Sequence, residues 1–195
     1  MRIDLHCHEM TYSKCSNMRI EDIVCSAKEK GLDAICVTDH DSMGIRYAAL
    51  DYGRSANYKI FIGIEVSAMH GDIIVIGPEI DFKTYMIETQ ALLDFVNAHD
   101  GFCYAAHPFR GSGCGYYAYN LKNLHGIEVK NGRAEKEANQ KASRLCDELG
   151  LIPLAGSDAH DIGEIGRCPM RVPDDVSTSE ELAKALKSGA CEIIQ

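Results

Sequence analysis

Short apolar runs alternate along this chain with segments in which apolar residues recur every three or four positions. Compact apolar runs are typical of strands that are buried on both faces of a sheet, and the wider spacing is typical of amphipathic helices. The runs predict strands over 3–8, 34–37, 60–64, 73–76, 102–106, 126–129, 152–155 and 191–194.

Amphipathic segments separate most of these strands. They predict helices over 20–27, 45–55, 88–99, 134–149 and 180–187. Gly31 and Gly150 are typical stop signals for two of them, and Ser177 with Glu180 fits a capping box before the last. Strands and helices alternate without a linker or an internal repeat. We therefore predict one α/β domain over 1–195 with a parallel sheet or barrel.

Composition narrows the class of protein. The 195 residues are 46% hydrophobic, which is enough for a sizeable core, and the net charge is −9. This charge argues against a scaffold that binds nucleic acid through basic stripes, but it leaves room for a small phosphorylated substrate beside divalent cations. Nine cysteines without a C-x-x-C pair favour free thiols in a reducing compartment. With no signal segment and no long apolar run, we expect a soluble cytoplasmic protein and no membrane partner.

Ionisable residues collect where the predicted strands end. Side chains alternate faces along a strand, so His6 and His8 point the same way, as do Asp158 and His160. The ends of parallel strands meet at one rim, where catalytic residues collect in barrels. The residues at this rim are His6, His8, His40, Glu65, His107, Asp158 and His160.

A histidine pair alone has two interpretations. It either chelates a metal such as zinc, iron or manganese, or simply closes a surface strand with polar groups. Recurrence of the same residue types at five strand ends favours the metal site, because scattered histidines would not be placed so regularly.

Six segments together resemble the ordered motifs of the PHP (polymerase and histidinol phosphatase) family. The likeness runs from the first residues to beyond His160 and so covers most of the chain. The segments are Asp4-Leu5-His6-Cys7-His8, Thr38-Asp39-His40, Gly63-Ile64-Glu65, His107-Pro108-Phe109-Arg110, Ile127-Glu128-Val129-Lys130-Asn131-Gly132 and Gly156-Ser157-Asp158-Ala159-His160.

The resemblance implies a distorted (β/α)7 barrel with parallel strands and an active site at its C-terminal rim. It also implies two or three divalent metal ions, which we expect to be zinc, manganese or iron. By the motif match, one ion would be held by His6, His8, Glu65 and Asp158. Glu65 would bridge to a second ion held with His107, and a third ion would be held by His40 and His160.

The implied activity is that of a phosphoesterase in which the metals lower the pKa of a bound water, so that hydroxide attacks phosphorus. Arg110 would neutralise the phosphoryl oxygens, and Asp158 or His160 would help to move the proton. The expected substrates are small phosphate esters, including nucleotides and short oligonucleotides. The alternatives are a metal-binding structural or regulatory module without turnover, and a metal-dependent hydrolase of a non-phosphate bond. The oligomeric state stays open.

The chain departs from the family pattern in two places. The loop 13–16 lacks the aspartate that many relatives carry, so Cys15 is either a soft replacement ligand or an inert thiol. Asp72 and His70 stand where many relatives have a histidine, and either is a replacement candidate. The loop 111–119 is glycine-rich and carries three tyrosines, which we interpret as a flap over the substrate.

Two aspartates and one cysteine adjoin the motif histidines. Asp4 and Asp39 are candidates to orient the ligand histidines by accepting hydrogen bonds, and Asp39 is equally a candidate cap for the following turn. Cys7 should point into the packing, because it faces away from its histidine neighbours.

Overall fold

The computed structural model describes residues 1–81 and 83–194. Its strands and helices follow the predicted alternation. The strands are β1 (Arg2–Cys7), β2 (Ala34–Val37), β3 (Lys59–Ala68), β4 (Gly71–Ile76), β5 (Phe102–Ala105), β6 (Gly126–Asn131), β7 (Ile152–Gly156), β8 (Met170–Arg171) and β9 (Glu192–Ile193). The α-helices are α1 (Ile20–Glu29), α2 (Arg46–Ala56), α3 (Thr89–Ala98), α4 (Lys136–Leu149) and α5 (Ser179–Lys187), and short 3-10 helices span Gly115–Asn120 and Ile162–Glu164.

The sheet curls until its first and seventh strands meet. Its order is β7-β6-β5-β4-β3-β2-β1-β8-β9. Beyond the end of β7, the Asp158 amide donates to the His6 carbonyl at 2.8 Å, and Cys7 forms a parallel bridge with Ala159. Strands β8 and β9 fill the other end of this seam, since β8 pairs with β1 at Arg2 and Ile3. The predicted barrel with parallel strands is therefore confirmed, and it is nearly closed.

Among the described strands, β4 and β8 run against the parallel strands of the barrel, and β8 does so where it pairs with β1. Strand β4 pairs antiparallel with both β3 and β5, although the β1–β2, β2–β3, β5–β6 and β6–β7 pairs are parallel. Only Met69 and His70 connect β3 to β4, and a parallel return would need a crossover of about a dozen residues. Strand β3 also continues to Ala68, so Glu65 lies within the strand and not at its end as the sequence predicted.

A register irregularity in β1 changes which face its side chains occupy. Ile3 and Leu5 pack in one core cluster with Phe61, whereas Cys7 belongs to a second cluster with α1 residues such as Ile23. The pairing with β2 shifts between Asp4 and Cys7. A bulge of this kind re-aims the side chains that follow it, so the histidines face the barrel centre and Cys7 faces packing, as predicted.

The capping box of the last helix lies one residue further along the chain than predicted, although the helix itself begins at Ser179, one residue before the predicted start at 180. Thr178 is its N-cap and forms a reciprocal capping box with Glu181, instead of Ser177 with Glu180. Ser177 still contributes, because its hydroxyl donates to the Glu181 carboxylate at 2.7 Å. Within the described residues, no helix has the combined length and apolar character that crossing a bilayer requires.

Gly156 sets how closely β7 approaches β1 beneath the site. A Cβ at this position would lie 2.4 Å from the His6 Cβ and 2.7 Å from Glu128 Oε1. We expect Gly156→Ala to lower the free energy of unfolding by about 1–3 kcal/mol, because both neighbours are buried and must move. Urea denaturation measures the change. Gly163→Ala is the matched control, since a Cβ there meets nothing within 4 Å; equal stability of the two variants would contradict this packing account.

Candidate metal centre

Four side chains from three strands converge at the centre of the rim. The Nε2 atoms of His6 and His8 lie 3.1 Å apart. Glu65 Oε2 lies 3.4 Å from His6 Nε2 and 3.3 Å from His8 Nε2, and Asp158 Oδ1 lies 3.5 and 3.3 Å from the same two atoms. All four residues are buried to within about one per cent. The structure thus brings together two imidazoles and two carboxylates whose side chains are almost entirely shielded from solvent.

The proton positions leave the two facing nitrogens as acceptors. His6 Nδ1 lies 3.0 Å from Glu128 Oε1, and a carboxylate accepts, so this nitrogen carries the hydrogen. Ser13 Oγ donates to Asp39 Oδ1 at 2.8 Å, so it accepts from His8 Nδ1 at 3.3 Å. Both Nε2 lone pairs are therefore directed at each other. Only a proton or a cation between them removes the repulsion.

The donor set fits a divalent ion. Ligand atoms of a tetrahedral site with bonds of about 2.1 Å lie about 3.4 Å apart, which matches the 3.1–3.5 Å separations of the two Nε2 atoms from each other and from the two carboxylates. Among the described residues, Glu65 Oε2 and Asp158 Oδ1 are buried without a hydrogen-bond partner. Buried carboxylate oxygens without a partner are costly unless a cation satisfies them. Imidazole and carboxylate together suit zinc, iron and manganese.

Two further groups of ligand atoms flank the first. In each group, the atoms lie within 4.8 Å of one another. One group joins His107 to His6 and Glu65, and His107 Nε2 lies 2.8 Å from Glu65 Oε1. The other joins His8, His40 and His160. All seven residues that the sequence placed at the rim are therefore brought into one cluster, and their roles as ligands remain a proposal.

The cluster favours positive charge at its centre. Burial alone would raise the pKa values of Glu65 and Asp158, but His6 and neighbouring imidazoles lower both well below the usual range. Burial alone would lower the pKa of His6, but Asp158, Glu128 and Glu65 raise it well above the usual range. These carboxylates attract positive charge, which a bound metal supplies in place of protons.

His160 differs from His6 and His8 because it is neutral at ordinary pH. Burial and the neighbouring His8 lower the pKa of His160 to about 4. Its Nδ1 lies 2.8 Å from the Asp158 carbonyl oxygen and therefore carries the hydrogen. The lone pair on Nε2 is then free to bind an ion or to accept a proton.

Two of the candidate ligands sit on unusual backbone. Asp158 has φ of 54° and His107 has φ of 26°, values that non-glycine residues rarely adopt. Hydrogen bonds hold both in place: the Asp158 amide donates to the His6 carbonyl at 2.8 Å, and the His107 amide donates to Glu128 Oε2 at 2.8 Å. Such conformations persist where the surroundings impose them, and they concentrate at functional sites.

A cavity of about 470 Å³ opens above the cluster. Arg110 lies on its wall and donates to the Asp158 carboxylate and, at 3.3 Å, to Asn131 Oδ1. The described residues that line it are Cys15, His40, Asp72, His107, Arg110, Gly111, Ser112, Arg133, Asp158 and His160. The lining thus combines two arginines with three histidines, which suits an anionic group.

Of the two replacement candidates in β4 and its turn, only Asp72 reaches the cavity. Its carboxylate accepts a hydrogen bond from Ser112. The His70 ring stacks on Tyr117 with centroids 3.9 Å apart, outside the cavity wall. The segment predicted as a tyrosine flap forms the 3-10 helix Gly115–Asn120, and the Tyr119 hydroxyl donates to Glu148 on α4. The described lining residues include none of its tyrosines.

The two candidate orienting aspartates bind other groups. Asp4 accepts hydrogen bonds from the backbone amides of His6, Ser157 and Gly166, so it joins β1 to the segment after β7. Asp39 acts on His8 only through Ser13. Burial raises the pKa of Asp39 to about 7.

Glu128 is the orienting residue that sequence reasoning missed. One oxygen accepts from His6 Nδ1, and the other accepts from the His107 amide and, at 2.9 Å, from Asn131 Nδ2. The available signal was a lone carboxylate inside the apolar strand β6, between two histidine motifs.

We expect Glu128→Gln to weaken metal binding by about 10–100-fold, because an amide no longer fixes the His6 tautomer. Competition titration against a chromophoric chelator measures the affinity. The matched control is Glu137→Gln on the exposed face of α4. Unchanged affinity in Glu128→Gln would rule out an orienting role.

Comparison with known proteins agrees with the fold. A family model described as PHP-associated matches residues 136–191. A probable phosphatase of Caldicellulosiruptor bescii is 25% identical over 206 residues, which cover 86% of this chain and 83% of that protein.

Two solved structures share the fold. A two-domain protein of Bacteroides vulgatus, described as containing a PHP-like metal-dependent phosphoesterase, superposes with a TM-score of 0.73 at 18% identity. Endonuclease Q, in complex with a 27-mer duplex substrate that carries an abasic lesion, superposes with a TM-score of 0.71 at 20% identity. They cover 100% and 98% of this chain, which spans 64% and 58% of their lengths.

Proposed function

We propose that this chain, a PHP-family protein by its ordered motifs, its fold and its relatives, is a metal-dependent hydrolase of phosphate esters. The observation that carries the proposal is the set of donor atoms on His6, His8, Glu65 and Asp158, in which both imidazole nitrogens lie 3.3–3.5 Å from each carboxylate, under a cavity with an arginine on its wall. His107, His40 and His160 extend this set on both sides, so two or three ions fit.

Bound divalent ions would supply an activated water at neutral pH and positive charge for the phosphoryl oxygens. Arg110 supplies the protein's own share of that charge. Its guanidinium now pairs with Asp158 and Asn131. A phosphate that enters the cavity would accept hydrogen bonds from some of the Arg110 N–H groups, because a guanidinium can bind two phosphate oxygens at once.

Two groups that line the cavity together with Arg110 are unprotonated and are our candidates for the proton acceptor. Asp158 remains ionised because the imidazoles lower its pKa, and His160 is neutral with a lone pair on Nε2. We assign proton transfer from the attacking water to one of these two acceptors, since both line the cavity where the substrate would lie.

The substrate we propose is a small phosphate ester, with a nucleotide or short oligonucleotide within that class. The complex of endonuclease Q with its duplex substrate supports the proposal that a site in this fold can accept a phosphodiester. The net charge of −9 opposes long nucleic acid, because phosphate contacts depend on basic surfaces. A module without turnover is the second candidate, but the seven clustered ligands and the lined cavity favour catalysis.

An assay with manganese tests the proposal. Metal-free protein is compared with protein loaded with Mn²⁺ on nitrophenyl phosphate monoesters and diesters and on nucleotide substrates. We expect turnover only in the loaded protein. If loaded protein binds metal but cleaves none of these esters, the phosphoesterase assignment is rejected.

Arg110→Ala should reduce kcat/KM for the best ester by about 10²-fold, because one positioned donor to the developing charge is lost. Metal content should stay unchanged, since Arg110 touches only the outer side of Asp158 through its guanidinium. Steady-state kinetics and elemental analysis measure both. Arg144→Ala, on the exposed face of α4, is the control, and equal kinetics in the two variants would contradict the assignment.

A further inference from the structure

We infer that Cys15 is a metal ligand in this chain and that its thiolate binds a divalent ion together with His40 and His160. The inference rests on the proposed metal centre and adds a soft sulfur ligand to it. It concerns a loop in which this chain has Ser13-Lys14-Cys15-Ser16 and no carboxylate.

The residue two positions before Cys15 is tied to two of the clustered histidines. Ser13 Oγ accepts from the His40 amide at 3.0 Å and from His8 Nδ1 at 3.3 Å, and it donates to Asp39 at 2.8 Å. Ser13 is about 1% exposed. The start of the loop is therefore fixed against the base of the cluster.

The residues after Cys15 are tied to the third histidine. Ser16 Oγ donates to the His8 carbonyl at 2.7 Å, and the Asn17 amide donates to the His160 carbonyl at 3.0 Å. The Ser16 amide closes a turn onto the Ser13 carbonyl at 2.9 Å. Cys15 thus sits in a tight turn whose two ends are bonded to the histidines of one candidate ligand group.

Cys15 lines the cavity beside His40 and His160 and is exposed, whereas seven of the other eight cysteines are buried or half-buried. The histidine group is a separate observation, because the three ligand atoms of His8, His40 and His160 lie within 4.8 Å of one another and the Cys15 sulfur is not among them. The proposed bond therefore requires the Cys15 side chain to turn toward His40 and His160. In addition, the buried Glu65 Oε2 lacks a hydrogen-bond partner and lies 3.1 Å from His40 Nδ1. The turn therefore places an exposed cysteine in the wall of the same cavity as His40 and His160, next to nitrogens and a carboxylate that already favour a cation.

The chemistry balances without a further reactant. The Cys15 S–H bond loses its proton to the buffer, and the sulfur lone pair forms the bond to the ion, so each ion bound at this position releases one additional proton. A thiolate selects zinc or iron over magnesium and manganese. When an ion occupies this position, the Nε2 lone pair of His160 binds it, and Asp158 remains the proton acceptor.

Cobalt reports sulfur ligation directly. The full chain is loaded with Co²⁺, and bound cobalt and the absorption spectrum are measured for wild type, Cys15→Ser, Cys15→Asp and Cys25→Ser. We expect a near-ultraviolet thiolate-to-cobalt band in wild type and in Cys25→Ser, where the exposed thiol lies on α1. Both Cys15 variants should lack the band, and Cys15→Asp should retain the bound cobalt.

Alkylation gives a second readout within one molecule. Cys15 and Cys25 are both exposed, so iodoacetamide labelling followed by peptide mass spectrometry measures their rates together. Zinc loading should slow labelling of Cys15 by at least about tenfold, because the metal-bound sulfur is a poor nucleophile, and should leave Cys25 unchanged.

The outcomes separate this inference from the proposed function. Cobalt bound without a thiolate band, or a band that survives in Cys15→Ser, overturns the ligand role of Cys15 and leaves the metal centre standing. No cobalt bound to wild type overturns both. Equal labelling rates of Cys15 with and without zinc, in protein shown to contain the metal, also overturn the inference.

Discussion

Replacing Glu65 by glutamine is expected to lower phosphate-ester turnover by on the order of 10³-fold or more while the fold survives. Glu65 Oε1 lies 2.8 Å from His107 Nε2, and Oε2 lies 3.1 Å from His40 Nδ1 and 3.3 Å from His8 Nε2. A neutral amide of the same shape cannot bridge ions from both oxygens. Kinetics at saturating Mn²⁺, together with circular dichroism, measure the two parts of this prediction.

The control for Glu65→Gln is Glu137→Gln, which makes the same chemical change on the exposed face of α4. Elemental analysis should show that Glu65→Gln loses bound metal and that the control retains it. Full metal content with full activity in Glu65→Gln would remove the bridging carboxylate from the account.

Chelation is expected to lower the melting temperature. At a free metal concentration 100 times Kd, one bound ion stabilises the folded state by about 2.7 kcal/mol. For a domain of this size, that corresponds to roughly 5–11 °C in Tm. Calorimetry of protein before and after EDTA treatment measures the shift, and restoring Mn²⁺ or Zn²⁺ should reverse it.

A control must show that the decrease in Tm after EDTA treatment comes from removal of the ion at this centre and not from general effects of the chelator. In His6→Ala, the metal-dependent shift in melting temperature should be clearly smaller than in wild type, because one of the two facing Nε2 donors is gone. A full shift that persists in His6→Ala would place the stabilising ion elsewhere.

Much of this fold was predictable because its strands are short, apolar and separated by amphipathic helices. The rim was predictable for the same reason, since His107 follows an apolar run directly and His40 comes three residues after another one ends at Val37. Glu65 was found although β3 continues past it, because the apolar pattern up to Ile64 is the same whether the strand ends there or turns into a hairpin.

The direction of individual side chains in β1 was harder to predict. A strict alternation that puts Ile3 and Leu5 in the barrel core would also put Cys7 there and turn His6 outward. The irregularity between Asp4 and Cys7 reverses this outcome. Such irregularities arise from pairing with a neighbouring strand, which the local sequence does not encode.

Contacts across long chain separations were also hidden. Glu128 binds an imidazole 122 residues away, and Ser16 reaches the His160 carbonyl across 144 residues. Neither residue belongs to a histidine motif, so only the closed barrel reveals what they orient.

The central claim is that a divalent ion lies among the facing donors of β1, β3 and the segment after β7. Anomalous diffraction from crystals of zinc- or manganese-loaded protein tests it most directly. The account predicts a strong anomalous peak bounded by His6, His8, Glu65 and Asp158. An anomalous map without a peak at this position, from crystals of protein that was incubated with the metal at saturating concentration, would contradict it.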